Sequence, residues 1–173
     1  MAPMTTCTGY YDGTVTSALV EYYRARSGSI GTIIVECCFV DDLGLAFPGA
    51  IGIDNDEKIA GLAKIADAIK SKGSKALLQI YHGGRMVDPK LIGGRTPVGP
   101  SAVAAPRDGA ATPVALTTEE VEGMVGKFGE AVRRALAEHV GAADRRDVGH
   151  AQVLEGHYQG GRQRGRRGHD KAP

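Results

Sequence analysis

The sequence predicts an α/β fold with a parallel sheet, either doubly wound as an open sheet or closed as a TIM barrel. Two short runs, residues 32–40 and 75–81, are nearly continuous in apolar character, which is typical of strands buried on both faces. Helical apolar patterns lie before, between and after these runs. Strands joined by helical crossovers form right-handed βαβ units, and such units build parallel sheets.

The first helix is predicted over residues 14–27, with Gly28 at the position of a C-terminal cap. Its predicted apolar face has four residues at helical spacing: Val15, Ala18, Leu19 and Tyr22. The first strand, residues 32–40, reads TIIVECCFV. The three Gly and one Pro within residues 41–53 predict a loop after it.

The second helix is predicted to begin at an Asp54-x-x-Glu57 capping box and to end at Gly73. Its apolar stripe is predicted to consist of Ile59, Leu62, Ala66 and Ile69. The second strand, residues 75–81, reads KALLQIY and continues directly into His-Gly-Gly-Arg.

Residues 82–116 hold five Pro and six Gly without a steady period, which predicts a long functional loop. Thr117 and Glu120 form a T-x-x-E capping box, so a third helix is predicted to follow. The face of this helix is predicted to consist of Val121, Val125, Phe128, Val132 and Leu136. The apolar period stops after Glu138.

The composition is that of an ordinary globular chain of 173 residues, with 42% hydrophobic and 24% charged residues and a net charge of +1. That length allows one domain or part of a larger one. Apolar runs long enough to span a bilayer are absent from the sequence, which predicts no membrane partner. Three cysteines, two of them adjacent, cannot form a paired framework, so a reduced, cytoplasmic protein is expected.

Gln79 is an amide inside an otherwise apolar strand, close to the strand's carboxyl end. Ligands of parallel α/β proteins gather at such ends. Two interpretations are open. The amide could bind the edge of a heteroaromatic ring that carries donors and acceptors, or it could be a buried Gln bonded to neighbouring backbone.

Several strings resemble, in order and spacing, the old yellow enzyme family of NAD(P)H:flavin oxidoreductases. They are MAPMT at the start, then IIVE, FPGAIGIDND, GSKALLQIYHGGR, PSAVAAPR and the third helix with its AVRRA. The resemblance covers roughly residues 1–138. It implies an FMN-containing (β/α)8 barrel in which NADH or NADPH reduces the flavin. The flavin would then pass hydride to the alkene of a small enone-type substrate, an α,β-unsaturated carbonyl compound.

The resemblance also implies which side chains contact the flavin: Pro3, Met4, Thr5, Cys37 and Gln79. The first three would lie against the ring, with the Thr5 hydroxyl near its carbonyl edge. Cys37 stands where the family usually has Ala or Gly. Gln79 would bind the pyrimidine edge. We assign no catalytic residue and no metal ligand.

Other polar residues near these strings receive structural interpretations. His82 and Arg85 are expected to be scaffold or pocket-rim residues. Cys7 and Cys38 are expected to be packed as small hydrophobes. Asp41 and Asp42 are expected to solvate the start of a loop.

The predicted organisation is a partial barrel over residues 1–138 and an Arg/Gly/His-rich tail over residues 139–173. A barrel needs about 250 residues, so we expect a chain incomplete at both ends and inactive alone. The tail carries seven basic and four acidic residues and four of the five His. Translation in a wrong reading frame of a GC-rich gene would explain it, as would a real divergent terminus, and disorder is predicted.

If the tail is real, an alternative function is a non-catalytic protein that binds nucleic acid or metal through it. Only composition favours this alternative. Tyr158 is the one aromatic residue of the tail, and stacking on single-stranded nucleic acid needs more of them. His150 and His157 have the wrong spacing for the family's substrate-binding pair. The sequence carries no signal for the oligomeric state.

Overall fold

The computed structural model describes residues 1–137. Its main elements alternate as predicted: α1 (Ser17–Arg26), β1 (Thr32–Phe39), α2 (Ile59–Lys70), β2 (Lys75–Tyr81) and α3 (Thr118–Ala137). The predicted bounds of the second strand are confirmed at both ends. The tail and its predicted disorder lie outside the described residues.

The sheet is parallel. Thr32 of β1 pairs with Lys75 of β2, and Phe39 pairs with Tyr81 at the other end of the ladder. The N-terminal segment lies beside the start of β1, because the amino group of Met1 donates to the Thr32 carbonyl at 2.7 Å and Ile34 N donates to the Met1 carbonyl at 3.1 Å. Residues 1–6 therefore run along β1 toward the carboxyl ends of the strands.

The core lies between one face of this sheet and the helices. The helices contribute Leu19, Tyr23, Leu62, Ile65 and Ile69, the strands contribute Ile33, Val35, Cys38 and Ile80, and Val40 follows β1 directly. Ala131 of α3 is fully buried against the same core, with Phe128 and Val132 partly buried beside it. Burial of this apolar area, at about 25 cal/mol per Å², is the main stabilising contribution to such a layer.

The predicted face of α1 is wrong in part. The helix begins at Ser17, with Thr16 as its N-cap accepting from Leu19 N. Val15 therefore lies outside the helix and cannot define its face. The buried residues are Leu19, Val20 and Tyr23, whereas Ala18 is exposed.

The predicted stripe of α3 is also wrong in part. Val121, Val125 and Leu136 are 42%, 67% and 38% exposed, and the buried residue is Ala131. The other residues of α3 that pack against the core are Met124, Phe128, Val132 and Ala135, so the buried face is rotated relative to the predicted stripe.

The two predicted capping boxes have different outcomes. The box of α3 is confirmed, since Glu120 N donates to Thr117 Oγ1 at 3.2 Å and Thr117 N donates to the Glu120 carboxylate at 2.7 Å. Asp54 is not a cap. Asn55 caps a short 3-10 turn that precedes α2, while Asp54 is the ion-pair partner of Lys58 at 3.7 Å.

The long loop, residues 82–116, contains more regular structure than predicted. Two 3-10 turns, Gly84–Met86 and Pro89–Ile92, follow β2 directly. The two-residue strands β3 (Val98–Gly99) and β4 (Val114–Ala115) then pair in parallel. Across the part of the chain that the structure describes, none of the helices has the length and apolarity needed to cross a membrane.

Candidate functional site

Three of the residues predicted to contact a cofactor form one cluster near the carboxyl ends of the strands. Cys37 lies opposite Gln79 in the β1–β2 ladder, and Thr5 Oγ1 lies 3.1 Å from Cys37 Sγ. Partners in a ladder point to the same face of a sheet. Thr5, Cys37 and Gln79 therefore offer a hydroxyl, a thiol and an amide at one site.

A β-bulge decides which face Cys37 occupies. Val35 is paired with Leu78 and Cys37 with Gln79, so Glu36 between them has no partner in the register. In a regular strand Cys37 would point to the same side as Val35, toward the core. The extra residue reverses this. Val35 and Cys38 belong to the core, and Cys37 faces the opposite side together with Gln79.

The side-chain amide of Gln79 is half-buried and makes no hydrogen bond to any residue within 1–137. None of those residues therefore supplies the backbone partner that the interpretation as a buried, backbone-bonded Gln requires. An amide that presents both a donor and an acceptor beside a thiol and a hydroxyl fits the polar edge of a flavin ring. Pro3 is half-buried and Met4 is 63% exposed on the same segment as Thr5.

Glu36, which the sequence analysis did not single out, anchors this segment. Its fully buried carboxylate accepts from Thr6 N at 3.2 Å and from Thr6 Oγ1 at 2.9 Å. Tyr23 of α1 donates its hydroxyl to the same carboxylate at 3.3 Å and accepts from Glu36 N at 2.8 Å. Burial raises the pKa of Glu36, although the bonds from Thr6 oppose that rise. An acidic residue inside an apolar strand is the signal that could have revealed it, as the amide of Gln79 did.

The three cysteines occupy different environments. Cys38 is completely buried in the core, as predicted. Cys7 is exposed, so its predicted packing is wrong. Its backbone adopts the left-handed conformation, with φ of 57°. Burial raises the pKa of the Cys37 thiol, which keeps it protonated at neutral pH.

Asp41 does not solvate a loop, contrary to expectation. It is buried and caps the following turn by accepting from Leu43 N at 2.7 Å. Its other carboxylate oxygen accepts from the ammonium group of Lys127 on α3. Asp42 is exposed and forms an ion pair with Arg95 at 2.8 Å, in accord with its predicted role.

His82 has the contacts of a scaffold residue. Its Nδ1 accepts from Gly84 N at 3.0 Å, and its Nε2 lies 4.0 Å from an Asp41 carboxylate oxygen. Gly44 packs against the imidazole so closely that an added Cβ would lie 2.6 Å from the ring. Burial lowers the pKa of His82. Arg85 donates to the Ala104 carbonyl at 3.3 Å and thereby joins two parts of the long loop.

Within residues 1–137, no group of three or more His, Cys, Asp or Glu side chains is placed to hold a metal ion. The histidines of the alternative function, His150 and His157, lie outside the described residues, as do the arginines of the tail.

A parallel β/α layer with a polar cluster near the carboxyl ends of its strands is the arrangement found in doubly wound sheets and in TIM barrels. The model of the NADH:flavin oxidoreductase / NADH oxidase family matches residues 1–144. The chain belongs to this family, and its predicted resemblance to the old yellow enzymes is confirmed. Members of the family bind FMN and use NADH, in agreement with the predicted cofactors.

Relatives of the chain carry informative names. It is 83% identical over 136 residues to "NADH:fumarate oxidoreductase" of Klebsiella pneumoniae, where the match covers 79% of this chain and 15% of the relative. It is 58% identical over 136 residues to "NADH:acrylate oxidoreductase" of Vibrio harveyi, where the match covers 79% of this chain and 14% of the relative.

A solved structure shows the same fold. The old yellow enzyme homologue of Zymomonas mobilis is 32% identical, with a TM-score of 0.72 over 80% of this chain and 41% of that one. The chain thus spans less than half of a solved barrel and about one seventh of the two longer relatives.

Proposed function

We propose that this chain is the flavin-facing N-terminal part of an FMN-dependent NAD(P)H oxidoreductase that reduces activated alkenes. The observation that carries the proposal is the cluster of Thr5, Cys37 and Gln79, in which a half-buried amide has no hydrogen-bond partner among residues 1–137. A polar group in such a position is stabilised when a ligand supplies the missing partner.

The residues of the cluster have distinct roles in this proposal. The Gln79 amide donates to and accepts from the pyrimidine edge of the flavin, and the Thr5 hydroxyl lies near its carbonyl edge. Pro3 and Met4 cover the ring, and Cys37 lies beside it. FMN, when bound, supplies a centre that accepts hydride from the nicotinamide and donates it to the substrate.

The proposed substrates are α,β-unsaturated carbonyl compounds. Fumarate and acrylate, which appear in the names of the two relatives, are both α,β-unsaturated carboxylates. Those relatives extend far beyond the segment that matches this chain. For this reason we assign no group of residues 1–137 to the substrate carbonyl. The cytoplasmic location stays a prediction.

The test is to join residues 1–137 to the remainder of the Klebsiella relative and to compare this graft with the 173-residue chain. We expect the graft to purify yellow, with FMN bound, and to oxidise NADH when an unsaturated carboxylate is added. The 173-residue chain alone should neither retain FMN tightly nor reduce alkenes. A colourless, correctly folded graft would contradict the proposal. An active 173-residue chain would contradict the expectation that this chain is inactive alone.

A further inference from the structure

The contact between Thr5 and Cys37 joins two groups that each carry one proton. Thr5 Oγ1 and Cys37 Sγ are 3.1 Å apart, and either atom could be the donor. Only one proton can lie between them. The direction of this bond therefore decides whether the Thr5 hydroxyl offers a proton or a lone pair to whatever binds beside it.

The backbone next to Thr5 is held in place independently of this contact. Thr6 is bonded to the buried Glu36 carboxylate through both its backbone N–H and its hydroxyl. Because Glu36 directly precedes Cys37, consecutive residues of the N-terminal segment are bonded to consecutive residues of β1. The Thr5 hydroxyl and the Cys37 thiol are thus kept in register by neighbouring bonds.

Burial favours one direction of the bond. Cys37 is 8% exposed, and no residue within 1–137 other than Thr5 is found as a side-chain partner for its sulfur. Thr5 is only half-buried. If Thr5 donated to the sulfur, the thiol proton would lie buried without an acceptor among those residues. If the thiol donates, its proton is bonded and the Thr5 proton points to the accessible side.

We propose that Cys37 is a positioning residue, which donates its thiol proton to Thr5 Oγ1 and so directs the Thr5 hydroxyl proton toward the ligand on the face shared with Gln79. The identification of that ligand as FMN rests on the proposed function. The raised pKa of Cys37 supports the proposal, since burial keeps the thiol protonated. Ala or Gly at this position has no side-chain donor, so the orientation is a property of the Cys37 side chain.

The test is infrared spectroscopy of the S–H stretching band in the flavin-free 173-residue chain. The difference spectrum against Cys37→Ala identifies the band of Cys37, because Cys7 and Cys38 contribute equally to both samples. We expect this band at the lower frequency of a thiol that donates a hydrogen bond. Thr5→Val removes the acceptor and should shift the band to higher frequency, and Thr5→Ser should restore the wild-type position.

A Cys37 band that is the same in wild type and Thr5→Val would overturn the proposal, since it would make Thr5 the donor. Circular dichroism checks that each variant is folded. If Thr5→Val does not fold, Thr5→Ala, which also lacks the hydroxyl, takes its place. The measurement uses no flavin, so failure of the graft to bind FMN would contradict the proposed function and leave the thiol assignment unaffected.

Discussion

Cys37 lies directly opposite Gln79 in the parallel ladder, and the bulged residue Glu36 is the reason that both face the same side of the sheet. One inserted residue changes the face of every side chain that follows it in a strand. The candidate site therefore depends on Glu36 twice, through the register of β1 and through the anchoring of Thr6.

Gln79→Ala should lower FMN retention of the graft about tenfold or more. Loss of the amide leaves polar groups of the ligand unpaired, which costs about 1–3 kcal/mol, and about 1.4 kcal/mol corresponds to a factor of ten. The measurement is the dissociation constant of FMN by fluorescence quenching. Lys75→Ala, at the exposed start of the same strand, is the matched control and should leave it unchanged. Unchanged affinity in a folded Gln79→Ala protein would make Gln79 a structural residue.

Glu36→Gln should change how the stability of the chain depends on pH. Burial raises the pKa of the folded Glu36 above its ordinary value of 4.5, so the unfolded chain loses this proton at lower pH. The contribution of Glu36 to the free energy of unfolding is fully present below the pKa that Glu36 has in the unfolded chain. It is lost as pH rises through the higher pKa that Glu36 has in the folded chain. Urea unfolding at a series of pH values should show the stability of wild type relative to Glu36→Gln falling across this window. A constant difference would mean that the carboxyl does not titrate there.

His82→Asn should reveal a pH dependence of stability opposite in sign to that of Glu36. Burial lowers the pKa of the folded His82 below its ordinary value of 6.5. Its contribution to stability is present above the unfolded pKa and is lost as pH falls through the lowered folded value. Asn offers Gly84 N an acceptor similar to Nδ1 but does not titrate. The stability of wild type relative to the variant should therefore decrease on acidification, and equal pH profiles would refute this.

Gly13→Ala should destabilise the chain more than Gly73→Ala. Both glycines have φ near +83°, with values of 83° and 84°. An added Cβ therefore has the same backbone cost at each position, about 1–2 kcal/mol. A Cβ at Gly13 would lie 2.5 Å from the ring of Phe39, whereas at Gly73 it would meet nothing within 4 Å. Overpacking adds about 1–3 kcal/mol. Equal free energies of unfolding in urea would show that Phe39 moves aside without cost.

Thr117→Ala should reduce the free energy of unfolding by about 1 kcal/mol, the usual cost of removing an N-cap side chain. Thr118→Ala, one residue further into α3, is the control, because no hydrogen bond of its hydroxyl to residues 1–137 is present. Thermal unfolding followed by circular dichroism compares the two variants. Similar losses in both would indicate that helix propensity, and not the cap, is measured.

The sequence predicted the features whose physical cause is local. The bounds of β2 and the capping box of Thr117 and Glu120 follow from side chains that act within a few residues of one another. Some of the wrong predictions involve a partner that is distant along the chain. Asp41 is paired with Lys127 of α3, and no pattern around Asp41 contains that information.

The sequence by itself determined the order of helices and strands, the family and the three polar side chains at the carboxyl ends, because periodicity, caps and motifs are properties of short segments. Only the tertiary structure decided that Glu36 bulges, that Cys37 turns away from the core, and that Thr5 lies against its thiol. These features depend on pairing between segments that are distant along the chain, where a shift of one residue exchanges the two faces of a strand.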